Sequence, residues 1–282
     1  MPEGPEIRLA ADKLADAVQG RVAEQVWFGQ PALKCHEALL SGRQIESVES
    51  RGKAMLTRFE GGLNIYSHNQ LYGRWMIMPA GELPETNRQL RLAIHNSDHS
   101  ALLYSASDIS VLKDAELVQH PFLKKLGPDL LGGELTVLQI AARLAEPKFS
   151  RRQLGALLID QSFITGIGNY LRCEILFVAR LAPNVTVGMC DAATLNRLAT
   201  VIDQLIWQSY KTAGITNDLQ RAERLMAEGA TFEAARFHLF RRAGLPCYRC
   251  GTAILKIKMN GQPTFLCPKC QGVLANAQTS TC

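Results

Sequence analysis

Pro2, Glu3 and Glu6, at the very start of the chain, are residues that could do covalent chemistry together. Pro2 is small, so Met1 is expected to be removed, leaving a secondary amine at the terminus. A terminal amine has a pKa of about 7.7–8.0 against about 10.4 for lysine, so its unprotonated fraction at neutral pH is larger by roughly two orders of magnitude. Attack of such an amine on an aldehyde-like carbon gives a cationic iminium ion, an electron sink for elimination. A carboxylic acid beside it can protonate a leaving group or a ring oxygen. The same residues would also start an ordinary helix, so the rest of the chain must decide between the two readings.

A second chemical signature lies near the other end. Cys247 and Cys250, then Cys267 and Cys270, form two C-x2-C pairs separated by sixteen residues. That spacing places four thiolates at the tips of two turns, the donor set of a tetrahedral zinc site with no open position, hence one structural Zn2+. Cys35, Cys173, Cys190 and Cys282 show no metal spacing and are expected as buried or free thiols. From Arg236 to Cys282 there are seven Lys or Arg and no Asp or Glu, whereas the whole chain carries only +5. The preceding residues are therefore slightly acidic, and the concentrated positive end points to a polyanion such as nucleic acid.

The elements that must carry these groups follow from pattern and composition. A chain of 282 residues with 47% apolar and 20% charged residues has the makings of about two globular domains. Its apolar runs are too short for a membrane span and its acidic start is unlike a signal peptide, so a cytoplasmic location is expected. Pro5 to Gly20 reads as a helix with Ile7, Ala11, Leu14 and Val18 on one face, its positive end aimed at Pro2 and Glu3. Seven short strands are expected over Val22–Phe28, Ile45–Val48, Ala54–Phe59, Leu63–Ser67, Arg74–Met78, Leu90–His95 and Ala101–Ser105, which together predict an antiparallel sandwich or barrel. Arg51-Gly52-Lys53 places a cation at a turn, and His68-Asn-Gln-Leu-Tyr-Gly73 crowds amide, apolar and aromatic side chains onto one loop. His120–Leu131 reads as a short helix leading into a linker. Helices follow over Thr136–Ala145, Ser150–Asp160, Asn169–Ala179 and Asp191–Tyr210, with Asn169 read as the cap of its helix after a glycine-rich turn. Residues 213–235 read as a mobile connection. Phe237–Leu274 reads as a basic zinc hairpin with its tip at Met259–Pro263.

Taken in order, these motifs resemble the formamidopyrimidine-DNA glycosylase and endonuclease VIII family, and its endonuclease VIII branch most. The resemblance rests on Met1-Pro-Glu-Gly-Pro-Glu6, Arg51-Gly-Lys53, Ser67-His-Asn-Gln-Leu-Tyr-Gly73 and Leu103-Tyr-Ser-Ala-Ser-Asp108. It continues through His120-Pro-Phe-Leu-Lys-Lys-Leu-Gly-Pro-Asp129, Gly166-Ile-Gly-Asn-Tyr-Leu-Arg172 and Phe237-His-Leu-Phe-Arg-Arg-Ala-Gly-Leu-Pro-Cys247. It implies an α+β protein of two lobes: a catalytic antiparallel β-sandwich with its N-terminal helix over 1–127, a linker over 128–135, a helical helix-two-turn-helix lobe over 136–236, and a zinc finger over 237–275. Residues 276–282 are expected as a disordered tail.

The resemblance also implies an activity, a bifunctional DNA glycosylase and AP lyase of base excision repair acting on oxidised bases, mainly pyrimidines, in double-stranded DNA. Pro2 becomes the Schiff-base nucleophile and Glu3 the acid for base release. Lys53 becomes a phosphate contact or the proton donor in β-elimination. Gln70, Leu71 and Tyr72 would fill the gap left by an extruded nucleotide, and Lys125 and Asn169 would bind phosphates. A monomer acting at the nucleoid is expected. Gln262 departs from the pattern: it stands at the finger tip where the family carries an arginine that binds phosphate and serves δ-elimination. Glutamine is neutral and donates no charge-assisted proton. Two other readings compete, a non-catalytic damaged-DNA-binding protein on the same fold and a tautomerase using Pro2 as base. Neither explains Pro2, Glu3, Lys53 and the basic zinc tail together.

Overall fold

A computed structural model describes residues 2–272, and the chain divides into two compact units at the Leu126–Gly127 junction. The expected tail over 276–282 lies outside the described residues.

In the first unit, α1 (Gly4–Val18) is followed by β1 (Val22–Ala23), β2 (Gln25–Phe28), α2 (Glu37–Leu40), β3 (Arg43–Arg51), β4 (Ala54–Phe59), β5 (Leu63–His68), β6 (Arg74–Pro79), β7 (Leu90–His95), β8 (His99–Tyr104), β9 (Asp108–Lys113) and α3 (Asp114–Leu117). Two antiparallel sheets result, ordered β1-β3-β4-β5-β9 and β2-β7-β8-β6. Their inner faces share one core. Ile45, Phe59 and Ile65 from the first sheet meet Phe28, Ile94 and Leu103 from the second, and Ala11, Leu14 and Val18 of α1 join them. This is the sandwich that the alternating strands predict.

The strand expected over Val22–Phe28 is in fact two. Val22 and Ala23 pair with β3, Gln25 to Phe28 pair with β7, and the chain crosses between sheets at Glu24. A strand that turns a sandwich corner keeps its apolar pattern while changing partners, which sequence periodicity cannot register. The strand β9 was not expected, yet it supplies the β5 edge from Asp108 to Lys113.

In the second unit, α4 (Val137–Leu144), α5 (Leu154–Leu157), α6 (Asn169–Val178), α7 (Ala192–Lys211), α8 (Leu219–Ala227) and α9 (Phe232–Ala235) precede the hairpin of β10 (Leu255–Met259) and β11 (Gln262–Leu266). Leu130, Ile140, Leu157, Phe163, Leu171 and Ile202 lie in its main core, so the stretch 128–135, expected as a linker, puts Leu130 and Leu131 into packed surroundings. Thr136 and Asp191 cap α4 and α7 by accepting from Gln139 N–H at 3.3 Å and Thr194 N–H at 2.8 Å.

Three expected elements differ. The helix over Ser150–Asp160 shrinks to α5, because the Leu154 and Gly155 amides donate to the carbonyls of Val185 and Pro183, each at 2.8 Å, instead of to a preceding helical turn. His120–Leu131 forms only a 3-10 turn over Leu123–Lys125. Residues 213–235 are no loose connection. Asp218 caps α8 by accepting from Arg221 N–H at 2.9 Å, and the Thr216 and Asn217 amides both donate to the Arg236 carbonyl at 2.9 Å. Both side chains are buried, and the Asn217 side chain donates to the Ala235 carbonyl at 2.7 Å.

Candidate active site

The amino-terminal groups sit where the helix α1 begins. Glu3 is its N-cap and only 2% exposed, so its carboxylate is held at the positive end of the helix and largely out of water. The Glu3 amide donates to Glu6 Oε2 at 3.0 Å, closing the first turn, with Pro5 placed where a missing N–H costs nothing. Pro2 precedes this cap. Together with Glu6 it lines a cleft of about 690 Å3 whose other walls include Lys13, Leu71, Tyr72, Trp75 and Arg88.

Lys53 arrives from the β3–β4 hairpin. Arg51 pairs with Ala54, leaving Gly52 and Lys53 as a two-residue turn with Gly52 at φ +61°. Glycine at the first central position of such a turn matches the twist of the flanking strands. Burial holds the Lys53 ammonium below the ordinary lysine range, while the Glu3 and Glu6 carboxylates oppose that shift. The fold therefore gathers the two carboxylates and the lysine, which are 50 residues apart in sequence, into one electrostatic group. It combines an acid, a cation and a secondary amine, the set that iminium formation and elimination require.

Beyond β5 the loop Asn69–Gly73 closes with Gly73 N–H donating to the Asn69 carbonyl at 2.7 Å. Gln70 takes φ +50°, and Leu71 and Tyr72 stand 58% and 71% exposed. Large apolar side chains this open on a tight, braced turn are suited to insertion into another apolar medium such as a base stack. The braces are Arg88 Nη1, which donates to the Tyr72 carbonyl at 2.6 Å, and the Ser107 hydroxyl, which donates to Gln70 Oε1 at 3.0 Å. Lys125 is exposed at the end of the first unit.

In the second unit, the residue that caps α6 is Gly168, and Asn169 is the first helical residue rather than the cap. Asn169 Nδ2 donates to the Pro263 carbonyl at 2.8 Å, and its Oδ1 accepts from Arg172. Arg172 is fully buried and also donates to Thr264 Oγ1 at 2.7 Å and to the Gly155 carbonyl at 3.3 Å. Gln262 opens β11 opposite Met259, with its Oε1 buried and accepting no hydrogen bond. Sequence reasoning missed Glu174, a buried carboxylate that accepts from the His238, Leu239 and Phe240 amides at 2.7, 2.9 and 2.9 Å and from the Thr216 hydroxyl at 2.8 Å. It anchors the chain entering the finger. The available signal was a pair of charges, Arg172 and Glu174, inside an otherwise apolar helix.

The four cysteines converge. Their sulfurs all lie within 4.8 Å of one another, with Cys247–Cys270 at 3.9 Å and Cys250–Cys267 at 3.4 Å. Thiolates around tetrahedral zinc, bonded at about 2.3 Å, stand about 3.8 Å apart, so the donor set fits one structural Zn2+. The Cys267 amide donates to Gln271 Oε1 at 2.8 Å, and Gln271 Nε2 donates to the Leu181 carbonyl at 2.8 Å, orienting the second ligand pair.

The sequence matches the formamidopyrimidine-DNA glycosylase N-terminal domain over residues 1–107, the formamidopyrimidine-DNA glycosylase H2TH domain over 126–220, and the zinc finger found in FPG and IleRS over 244–273. The chain belongs to the formamidopyrimidine-DNA glycosylase family. Within that family it is 45% identical to the endonuclease 8 of Pectobacterium atrosepticum and 44% identical to that of Shigella sonnei, each alignment covering 96% of this chain and 100% of the relative. Family membership makes it a DNA glycosylase and AP lyase of base excision repair. The fold is that of Lactococcus lactis Fpg in complex with N7-benzyl-Fapy-dG DNA, with a TM-score of 0.78 at 19% identity over 96% of this chain and 99% of that one. A Lactococcus lactis Fpg complex with abasic-site DNA matches with a TM-score of 0.77 at 19% identity, over 95% and 99%. No helix among the described residues is long and apolar enough to cross a membrane.

Proposed function

We propose that this glycosylase removes oxidised pyrimidines from duplex DNA and nicks the strand through a Schiff base on Pro2. The observation that carries the reading is the gathering of buried Glu3 and half-buried Lys53 beside the start of α1, one residue from the Pro2 amine.

In this reading the unprotonated Pro2 nitrogen forms a bond to the sugar carbon bearing the damaged base, and the glycosidic bond breaks with its electron pair leaving on the base. Glu3 supplies the proton that base release needs, its carboxyl sheltered from water at the helix start. The ring C1′–O4′ bond then breaks, O4′ taking up the proton that the attacking nitrogen gives up, and leaves an iminium at that carbon. The iminium withdraws electrons so that the neighbouring sugar C–H proton is lost and the C3′–O bond breaks, giving β-elimination. Lys53 faces the phosphate that departs with that oxygen. The base must leave the stack first, since the sugar carbon is hard to reach inside a duplex, and Gln70, Leu71 and Tyr72 fill the gap. Lys125 and Asn169 serve flanking phosphates. Asn169 does so with the second Nδ2 hydrogen or its backbone amide, since one donor is committed to Pro263. Acting on chromosomal DNA as a monomer, the protein would work in the cytoplasm at the nucleoid.

Borohydride reduction on abasic DNA tests this reading. The expected result is a covalent protein–DNA adduct whose attachment maps to Pro2. An adduct on a lysine, or full activity from protein with an uncleaved extension ahead of Pro2, overturns it.

A further inference from the structure

The loop that presents Leu71 and Tyr72 is tied to the strand before it by one side chain. The Gln70 amide donates to His68 Nδ1 at 2.9 Å. A backbone N–H can only donate, so Nδ1 must carry the lone pair and the ring proton must sit on Nε2. This hydrogen bond spans two residues, as an asparagine side chain does in an Asx-turn, and holds Gln70 at φ +50°, a conformation few non-glycine residues adopt unaided. His68 is in turn fixed by its surroundings. It ends β5, pairs with Asp108 across the ladder to β9, and packs its ring against Phe122 with centroids 5.3 Å apart.

We infer that His68 is a positioning residue for base extrusion: its Nδ1 lone pair holds the Gln70 amide and so sets Leu71 and Tyr72 outward, ready to enter the stack. The inference rests on the reading of Gln70, Leu71 and Tyr72 as the wedge. The reactive end and the wedge then share one scaffold, because the strand that carries His68 also pairs with Ala54, the residue after Lys53.

The role demands a neutral imidazole, since an imidazolium has no lone pair at Nδ1. The charged groups acting on the ring are Lys53 from the β3–β4 turn and Asp108 from β9. Tyr66, which donates to Asp108, and His120, which packs at a tilt against Tyr66 with centroids 4.1 Å apart, are the titratable groups next to them. Burial and the Lys53 charge lower the His68 pKa and Asp108 opposes them, with the net direction downward, so the ring is neutral at physiological pH.

Three substitutions separate Nδ1 from Nε2. His68→Asn places Oδ1 where Nδ1 lies and keeps the acceptor; His68→Gln extends its amide towards the Nε2 position and loses it; His68→Phe keeps only the ring. The readout is stopped-flow fluorescence of 2-aminopurine beside thymine glycol in a duplex, with the ratio of excision from duplex to trapping on single-stranded abasic DNA measured in parallel. For His68→Gln and His68→Phe the insertion signal and that ratio are expected to fall about three- to tenfold, the worth of one lost hydrogen bond. His68→Asn is expected to keep both. In the wild type the insertion signal should fade as pH drops below the ordinary histidine value of 6.5, and in His68→Asn it should not. Equal behaviour of His68→Asn and His68→Gln, with Leu71→Ala and Tyr72→Ala suppressing insertion, overturns the role of His68 alone. An insertion signal unchanged by Leu71→Ala and Tyr72→Ala overturns the wedge reading and this inference with it.

Discussion

The side-chain amide of Asn169 donates to the carbonyl of Pro263 at 2.8 Å, joining the first residue of α6 to the zinc-finger hairpin. Arg172 reinforces the joint by bonding both Asn169 and Thr264 from a fully buried position. The hairpin tip is therefore held by the helix, and the residue beside Pro263 occupies a defined place.

That residue is Gln262. It pairs with Met259, whereas Lys258 pairs with Pro263 and Lys256 with Phe265, so the two lysines project from the opposite face of the ribbon. Neither stands where a side chain at 262 points. Products from abasic DNA are expected to stop mainly at β-elimination, and Gln262→Arg should add δ-product and speed base excision by about ten- to a hundredfold, the worth of a charged hydrogen bond in a transition state. Single-turnover product analysis of both proteins on abasic and thymine-glycol duplexes checks this. Abundant δ-product from the wild type, unchanged in the variant, would assign the step elsewhere.

Lys53 carries a lowered pKa, burial outweighing Glu3 and Glu6. Its charged form is lost as pH rises through that lowered value, so strand cleavage should decline on the alkaline side before the ordinary lysine value of 10.5 is reached. Stability moves the other way. The buried ammonium costs stability while it is charged, and the cost disappears as pH climbs from the lowered value towards 10.5. Lys53→Arg should erase the alkaline limb of the pH–rate profile, because a guanidinium does not titrate there. A limb that persists in Lys53→Arg would belong to another group.

Removing the metal should unfold the finger and spare the sandwich. The finger's core is small: Leu239, Ile254 and Phe265 pack with Cys247 and Cys267 against Phe177 of α6. Zinc binding contributes about 10–16 kcal/mol in comparable peptides, more than such a cluster can replace. Chelation, or Cys267→Ser, is expected to abolish duplex binding by fluorescence anisotropy while the far-ultraviolet strand signal stays. Unchanged affinity after verified zinc loss would count against the finger as a DNA contact.

Gly155 and Met259 test how firmly the hairpin is seated. A Cβ at 155 would lie 2.7 Å from Met259 Sδ and 2.9 Å from both the Pro183 carbonyl oxygen and Cβ. Gly155→Ala should cost about 1–3 kcal/mol by overpacking and weaken DNA binding, as judged by thermal melts and anisotropy. Met259→Ala should relieve part of that cost in the double variant, a non-additivity expected only of residues in contact. Strictly additive effects would show that the backbone at Pro183, not the hairpin, resists the methyl group.

By itself the sequence determined the parts whose information is local. The zinc ligands are legible because a thiolate site needs two pairs of cysteines on two turns, and turn spacing is written in consecutive residues. Pro2, Glu3, the Gly52-Lys53 turn and the α1 face are legible for the same reason. Tertiary structure alone decided which groups meet. Lys53 acquires its lowered pKa only when the fold buries the β3–β4 turn, against the opposing charges of Glu3 and Glu6. Asn169 gives its cap position to Gly168 because Pro263 and Arg172 claim its side chain. Ser150–Asp160 loses its helix because the Leu154 and Gly155 amides find carbonyls near Pro183. Residues 213–235 become ordered because Thr216 and Asn217 bury themselves against Glu174, Ala235 and the Arg236 backbone. In each case a polar group had several possible partners along the chain, and only the packed fold made one of them available.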